Sequence, residues 1–134
     1  MTDKIRQILT SSKTIALVGA SAKKKRASHY VMAFLQKKGY RVIPVNPALD
    51  GQELMGEKVY AKLTDIPVPV DMVDIFLSSE LVGPVVDDAI AIKAKYIWMQ
   101  LKVINEEAAA KAEAAGLEVV MNHCPQIEIP KLGL

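Results

Sequence analysis

The side chains able to do chemistry are few, and most lie in one stretch. Thr14 to Val18 is an unbroken apolar run, and Gly19-Ala20-Ser21-Ala22 follows it. Next come Lys23-Lys24-Lys25-Arg26 and then Ser28. A strand that turns at glycine into a helix N-terminus can hold a phosphate. Backbone N–H groups gather there unpaired, and the helix dipole adds partial positive charge. Arg26 sits nearest the helix, and a guanidinium clamps phosphate with two hydrogen bonds. Lys23, Lys24 and Lys25 read equally well as phosphate contacts or as a solvated loop. Ser28 reads as a cap for the helix.

Two absences narrow the ligand. A full dinucleotide fingerprint is G-x-G-x-x-G, and only its first glycine is present. NAD sites also carry an acid after the second strand for the ribose hydroxyls. Here Val45 is followed by Asn46-Pro47, and the nearest acid is Asp50. A missing acid beside basic residues suits a ligand with additional phosphate.

The catalytic inventory is thin. His29 falls in the first turn of a helix. His123 and Cys124 are adjacent, and neighbours on a strand point to opposite faces, which opposes a nucleophile pair. No Cys/His array has metal-ligand spacing. Asp71 and Asp74 read as strand-end and turn residues, Asp87 and Asp88 as helix surface, and Trp98 as core. No catalytic residue is assigned.

The elements that must position these loops alternate. Apolar runs near 14–18, 40–45, 72–77, 96–99 and 117–121 read as strands. Stripes at helical spacing near 3–11, 28–38, 80–92 and 105–115 read as helices. A short helix is expected near 62–66. The tail from Asn122 to Leu134 holds two prolines and reads as extended. Strands spaced by about 25–30 residues around helices are the mark of βαβ units. The expected fold is therefore α/β and Rossmann-like: a five-stranded, doubly wound parallel sheet in the order 3-2-1-4-5, with helices on both faces. Its crevice falls where strand order reverses, between the first and fourth strands. The loops opening there begin at Gly19, Asn46, Ser78 and Gln100.

Composition fits this reading. The 134 residues are 51% hydrophobic and 24% charged, expected to form one domain over 1–134. A net charge of +2 is too weak for nucleic acid, and aromatics at 5% offer no stacking platform. One cysteine fits a reducing compartment, and no apolar run approaches a membrane span. A cytoplasmic location is the expectation.

Taken together, the blocks resemble the small CoA-binding domain proteins, akin to the nucleotide-binding domain of the succinyl-CoA synthetase α subunit. The resemblance runs from about Ile8 to Leu132. It rests on Ile15-Ala16-Leu17-Val18-Gly19-Ala20-Ser21, Val42-Ile43-Pro44-Val45-Asn46-Pro47 and Asp65-Ile66-Pro67. Val70 to Phe76, Trp98-Met99-Gln100-Leu101, Ala114 to Met121 and Cys124-Pro125 extend it. It implies binding of coenzyme A, or an acyl-CoA, through the ADP portion. Gly19, Ala20, Ser21 and Ala22 would cradle the pyrophosphate, and Arg26 and Ser28 match a basic-then-serine element. Asn46 and Pro47 would border the adenosine. Phe76, Leu77 and Ser78 would line the adenine or ribose wall, and Gln100 with Lys102 would close the site. Five departures stand out. The family commonly has arginine at Leu77, glycine at Lys102 and proline at Ala27, with arginine and tyrosine at His123 and Ile129.

A CoA-binding module without its own catalysis is the first expectation. The alternatives are an NAD(P)- or acyl-CoA-dependent enzyme, and a regulatory subunit of a CoA ligase-type assembly. A homo-oligomer or a partner enzyme subunit fits any of the three.

Overall fold

The structure is a computed structural model that describes residues 2–134. In chain order the elements are α1 (Thr2–Ser11), β1 (Thr14–Val18), α2 (Ala27–Lys37) and β2 (Arg41–Val45). A small hairpin follows, β3 (Glu53–Leu54) and β4 (Glu57–Lys58). The remainder is β5 (Met72–Ile75), α3 (Val82–Ala91), β6 (Tyr96–Met99), α4 (Glu106–Ala114), β7 (Glu118–Val120) and α5 (Pro125–Lys131). The large sheet runs β2-β1-β5-β6-β7 and is parallel throughout. No described helix is long and apolar enough to cross a membrane.

The apolar runs form strands because both faces of the sheet are covered. Successive side chains on a strand point to opposite faces. Ile15 and Leu17 of β1 join Ile8, Met32 and Ile129 from the α1, α2 and α5 side. Ala16 and Val18 join Val86, Ala109 and Ala112 from the α3 and α4 side. Lys4 Nζ also donates to the Val119 carbonyl at 2.6 Å, holding α1 against β7.

The α/β class, the five parallel strands and the helices on both faces agree with the sequence reading. The strand order does not. Order 3-2-1-4-5 needs the third strand outside the second. That edge is taken by Tyr60, whose N–H donates to the Pro44 carbonyl at 3.1 Å. Its carbonyl accepts from the Asn46 N–H at 2.9 Å. Met72–Ile75 therefore pairs on the free side of β1. The five expected strands lie in the order second, first, third, fourth, fifth. Strand order thus reverses between β1 and β5, rather than between the first and fourth strands.

The tail is the second difference. Residues 125–131 form a helix instead of an extended segment. Pro125 sits in its first turn, where a missing N–H removes no bond. Ile129 is buried against the α1 and α2 layer.

Candidate functional site

The site begins at the close meeting of the loops after β1 and β5. Gly19 has φ +91°, and a Cβ there would stand 2.4 Å from the Phe76 carbonyl oxygen. Only glycine allows that approach. Phe76 N–H in turn donates to the Val18 carbonyl at 2.8 Å.

The phosphate-type donors are displaced from where the sequence suggests. Gly19 and Ala20 both give their N–H to the Val45 carbonyl, at 3.0 and 3.2 Å. Among the described residues, the N–H groups of Ser21, Ala22, Ala27 and Ser28 have no protein acceptor. Lys23 N–H donates to Ser21 Oγ at 3.1 Å and curls the loop. Arg26, not Ser28, is the N-cap residue of α2, and its side chain makes no capping bond. Ser28 lies inside the first turn, is buried, and directs its hydroxyl to no described protein partner.

Asn46 ties the second loop to the first. Its Nδ2 donates to the Ala20 carbonyl at 2.7 Å, and its Oδ1 accepts from Ala48 N–H at 2.9 Å.

These loops surround a cleft of about 820 Å³, near the upper end of small-molecule sites at roughly 300–1,000 Å³. Gly19, Ala20, Ser21, Ala22, Arg26, Ser28, Asn46, Phe76, Leu77, Ser78, Gln100 and Lys102 all line it. Pro47 does not. It lines a neighbouring apolar slot of about 280 Å³ with Asn46, Leu63, Leu77 and Val85. Of the basic run, Lys23 and Arg26 reach the cleft, and Lys24 and Lys25 do not.

Lys102 has φ +68°, a conformation that favours glycine. Its N–H donates to Asn122 Oδ1 at 2.7 Å, and its carbonyl accepts from Ser79 Oγ at 3.3 Å. A family preference for glycine at this point has a backbone reason.

Sequence reasoning missed two groups. Cys124 is buried and lines the cleft from the start of α5. Reading the tail as extended hid it. His123 is engaged elsewhere, with Nδ1 at 3.3 Å from Glu128 Oε2. The other group is Asp74. It is not a strand-end residue; it is fully buried in β5, between Leu17 of β1 and Trp98 of β6. The inner atom of the Gln100 amide stands 2.8 Å from Asp74 Oδ1 and 3.3 Å from Oδ2. Burial pushes the Asp74 carboxyl well above the usual carboxylate range.

Fold and site together define a Rossmann-like protein with a ligand cleft at the reversal of strand order. Residues 13–130 match the CoA binding domain family, and the chain belongs to that family. An uncharacterized protein of Bacillus subtilis, YneT, is 37% identical over 124 residues, covering 92% of this chain and 90% of that protein. A hypothetical protein from Pyrococcus horikoshii has a solved structure with TM-score 0.95 and 42% identity, covering 100% of this chain and 93% of that one. A dinucleotide-forming acetyl-coenzyme A synthetase from Ca. Korarchaeum cryptofilum superposes with TM-score 0.73 and 29% identity, over 85% of this chain and 27% of its own.

Proposed function

We propose that this protein binds coenzyme A, or an acyl-CoA, in the cleft, and is a cytoplasmic binding module without catalysis of its own. The observation that carries the reading is the donor set at the α2 start. Unpaired N–H groups of Ser21, Ala22, Ala27 and Ser28 stand beside Lys23 and Arg26 on one wall. Such a wall suits a pyrophosphate. The apolar slot beside Asn46 and Pro47 suits an adenine. Asn46 spends its amide on Ala20 and Ala48, so the ribose contact typical of NAD is missing.

A second reading has one specific support. The chain matches about a quarter of the length of the acetyl-CoA synthetase. On that reading the domain serves as the nucleotide-binding part of an assembly whose other chains do the chemistry.

Thermal shift tests the first reading. A ligand that binds only the folded state stabilises it by about 2.7 kcal/mol at 100 times its Kd. CoA should raise the melting temperature, and NADH should not. No shift with CoA in the millimolar range would sink the proposal.

A further inference from the structure

The cleft has a polar floor that phosphate binding does not use. Asp74 is fully buried, Gln100 is 5% exposed, and only Gln100 reaches the cleft. The surroundings of the carboxyl are apolar. Leu17 and Trp98 flank it on the neighbouring strands, and Val31, Met32 and Leu35 of α2 belong to the same cluster. Among the described residues no cation and no backbone N–H partners the carboxyl, and the Gln100 amide alone does.

Two arrangements satisfy that contact. An ionised carboxylate accepts from the amide nitrogen, leaving the amide oxygen toward the cleft. A protonated carboxyl donates its O–H to the amide oxygen, leaving the N–H₂ toward the cleft. An unpaired charge sealed from water is costly enough that such a group neutralises instead. A neutral carboxyl that took the amide N–H on its C=O would leave its own O–H unpaired, so the second arrangement, which pairs that proton, follows.

Position says which part of a ligand meets that amide. Asn46 follows β2, Gly19 follows β1 and Gln100 follows β6, with β5 between the last two. Neighbouring strands lie about 4.8 Å apart, so Gln100 is roughly 14 Å across the sheet from Asn46. With adenosine at Asn46 and pyrophosphate near Gly19, the arm beyond the phosphates runs toward Gln100.

We propose that Asp74 is a positioning residue for ligand recognition: it holds the Gln100 amide oxygen inward and its N–H₂ outward, so that the cleft selects a carbonyl on the ligand's pantetheine arm, amide or thioester. This rests on the CoA reading above.

The test compares Asp74→Leu and Asp74→Asn for binding of CoA and of 3′-phosphoadenosine 5′-diphosphate, which lacks the pantetheine arm. Losing one oriented hydrogen bond predicts about tenfold weaker CoA binding by Asp74→Leu, with the fragment changed by less than about twofold. Asp74→Asn donates from the same place and should rescue CoA binding. Equal weakening of both ligands, or CoA binding by Asp74→Leu at the wild-type level, overturns the proposal. Infrared spectroscopy supplies an arm independent of CoA. Wild type should show a protonated-carboxyl band at neutral pH that Asp74→Asn lacks, and absence of the band overturns the pairing. A wild type blind to CoA would instead refute the CoA reading, and with it the choice of ligand.

Discussion

Asn46 Nδ2 donates to the carbonyl of Ala20 at 2.7 Å, so the turn after β2 is bolted to the turn after β1. The same side chain caps the short turn at Pro47–Leu49 through Ala48 N–H. One residue thus shapes two walls of the cleft. Asn46→Asp keeps the capping acceptor but loses the donor and sets a carboxylate oxygen against a carbonyl. Stability should fall by about 1–2 kcal/mol, and CoA should bind more weakly. Chemical denaturation with a parallel CoA titration reads both. Unchanged stability would mean that the bolt carries no energy.

The basic run should divide. Lys23 and Arg26 line the cleft, while Lys24 and Lys25 do not. A charge-assisted hydrogen bond contributes roughly 1.5–3 kcal/mol, so Arg26→Ala should weaken CoA binding by about tenfold or more. Lys24→Ala and Lys25→Ala should stay within about twofold. A calorimetric series decides, and equal losses at all of these positions would reduce the run to general attraction.

Lys102 carries its backbone strain without a compensating side-chain bond among the described residues. A non-glycine residue in the left-handed region costs roughly 1–2 kcal/mol, and glycine gives back part of that in chain entropy. Lys102→Gly should therefore stabilise the protein by roughly 0.5–1 kcal/mol. A lower denaturation midpoint would contradict this.

Asp74 and Asp71 predict opposite pH effects. Burial raises Asp74 above its unfolded value near pH 4, so the folded state holds a proton that the unfolded state loses. Its effect is a stability that declines as pH rises from about 4 toward its folded value. For Asp71, burial pushes upward, but N–H donors from Thr14 and Lys13 and the Lys95 ammonium outweigh it and lower the carboxyl. Its contribution is present above about pH 4 and is lost as pH falls through the folded value. Asp74→Asn should flatten the decline toward neutral pH, and Asp71→Asn should flatten the loss toward acid. Urea melts across pH check both, and an Asp74→Asn curve parallel to wild type above pH 4 would refute the first.

Much of this was legible in the chain. Apolar runs such as Ile15 to Val18 could only be strands covered on both faces, and Gly19 announced the turn that follows. The strand order was not legible, because it depends on Tyr60 reaching the outer edge of β2, a contact with no local signature. Helix α5 was hidden by its prolines; burial of Ile129 holds it, not propensity. Asp74 was misread because a carboxylate near a strand start usually faces water. Its signal was position: it is the third residue of a four-residue strand whose other members are all apolar.

On the proposed function, the cleft takes CoA in preference to NAD. Titration calorimetry of the wild-type protein with CoA, followed by NADH as competitor, tests it most directly. A saturable heat with CoA at one site per chain, undisturbed by NADH, is expected. NADH binding as tightly as CoA, or no heat from CoA at all, would contradict it.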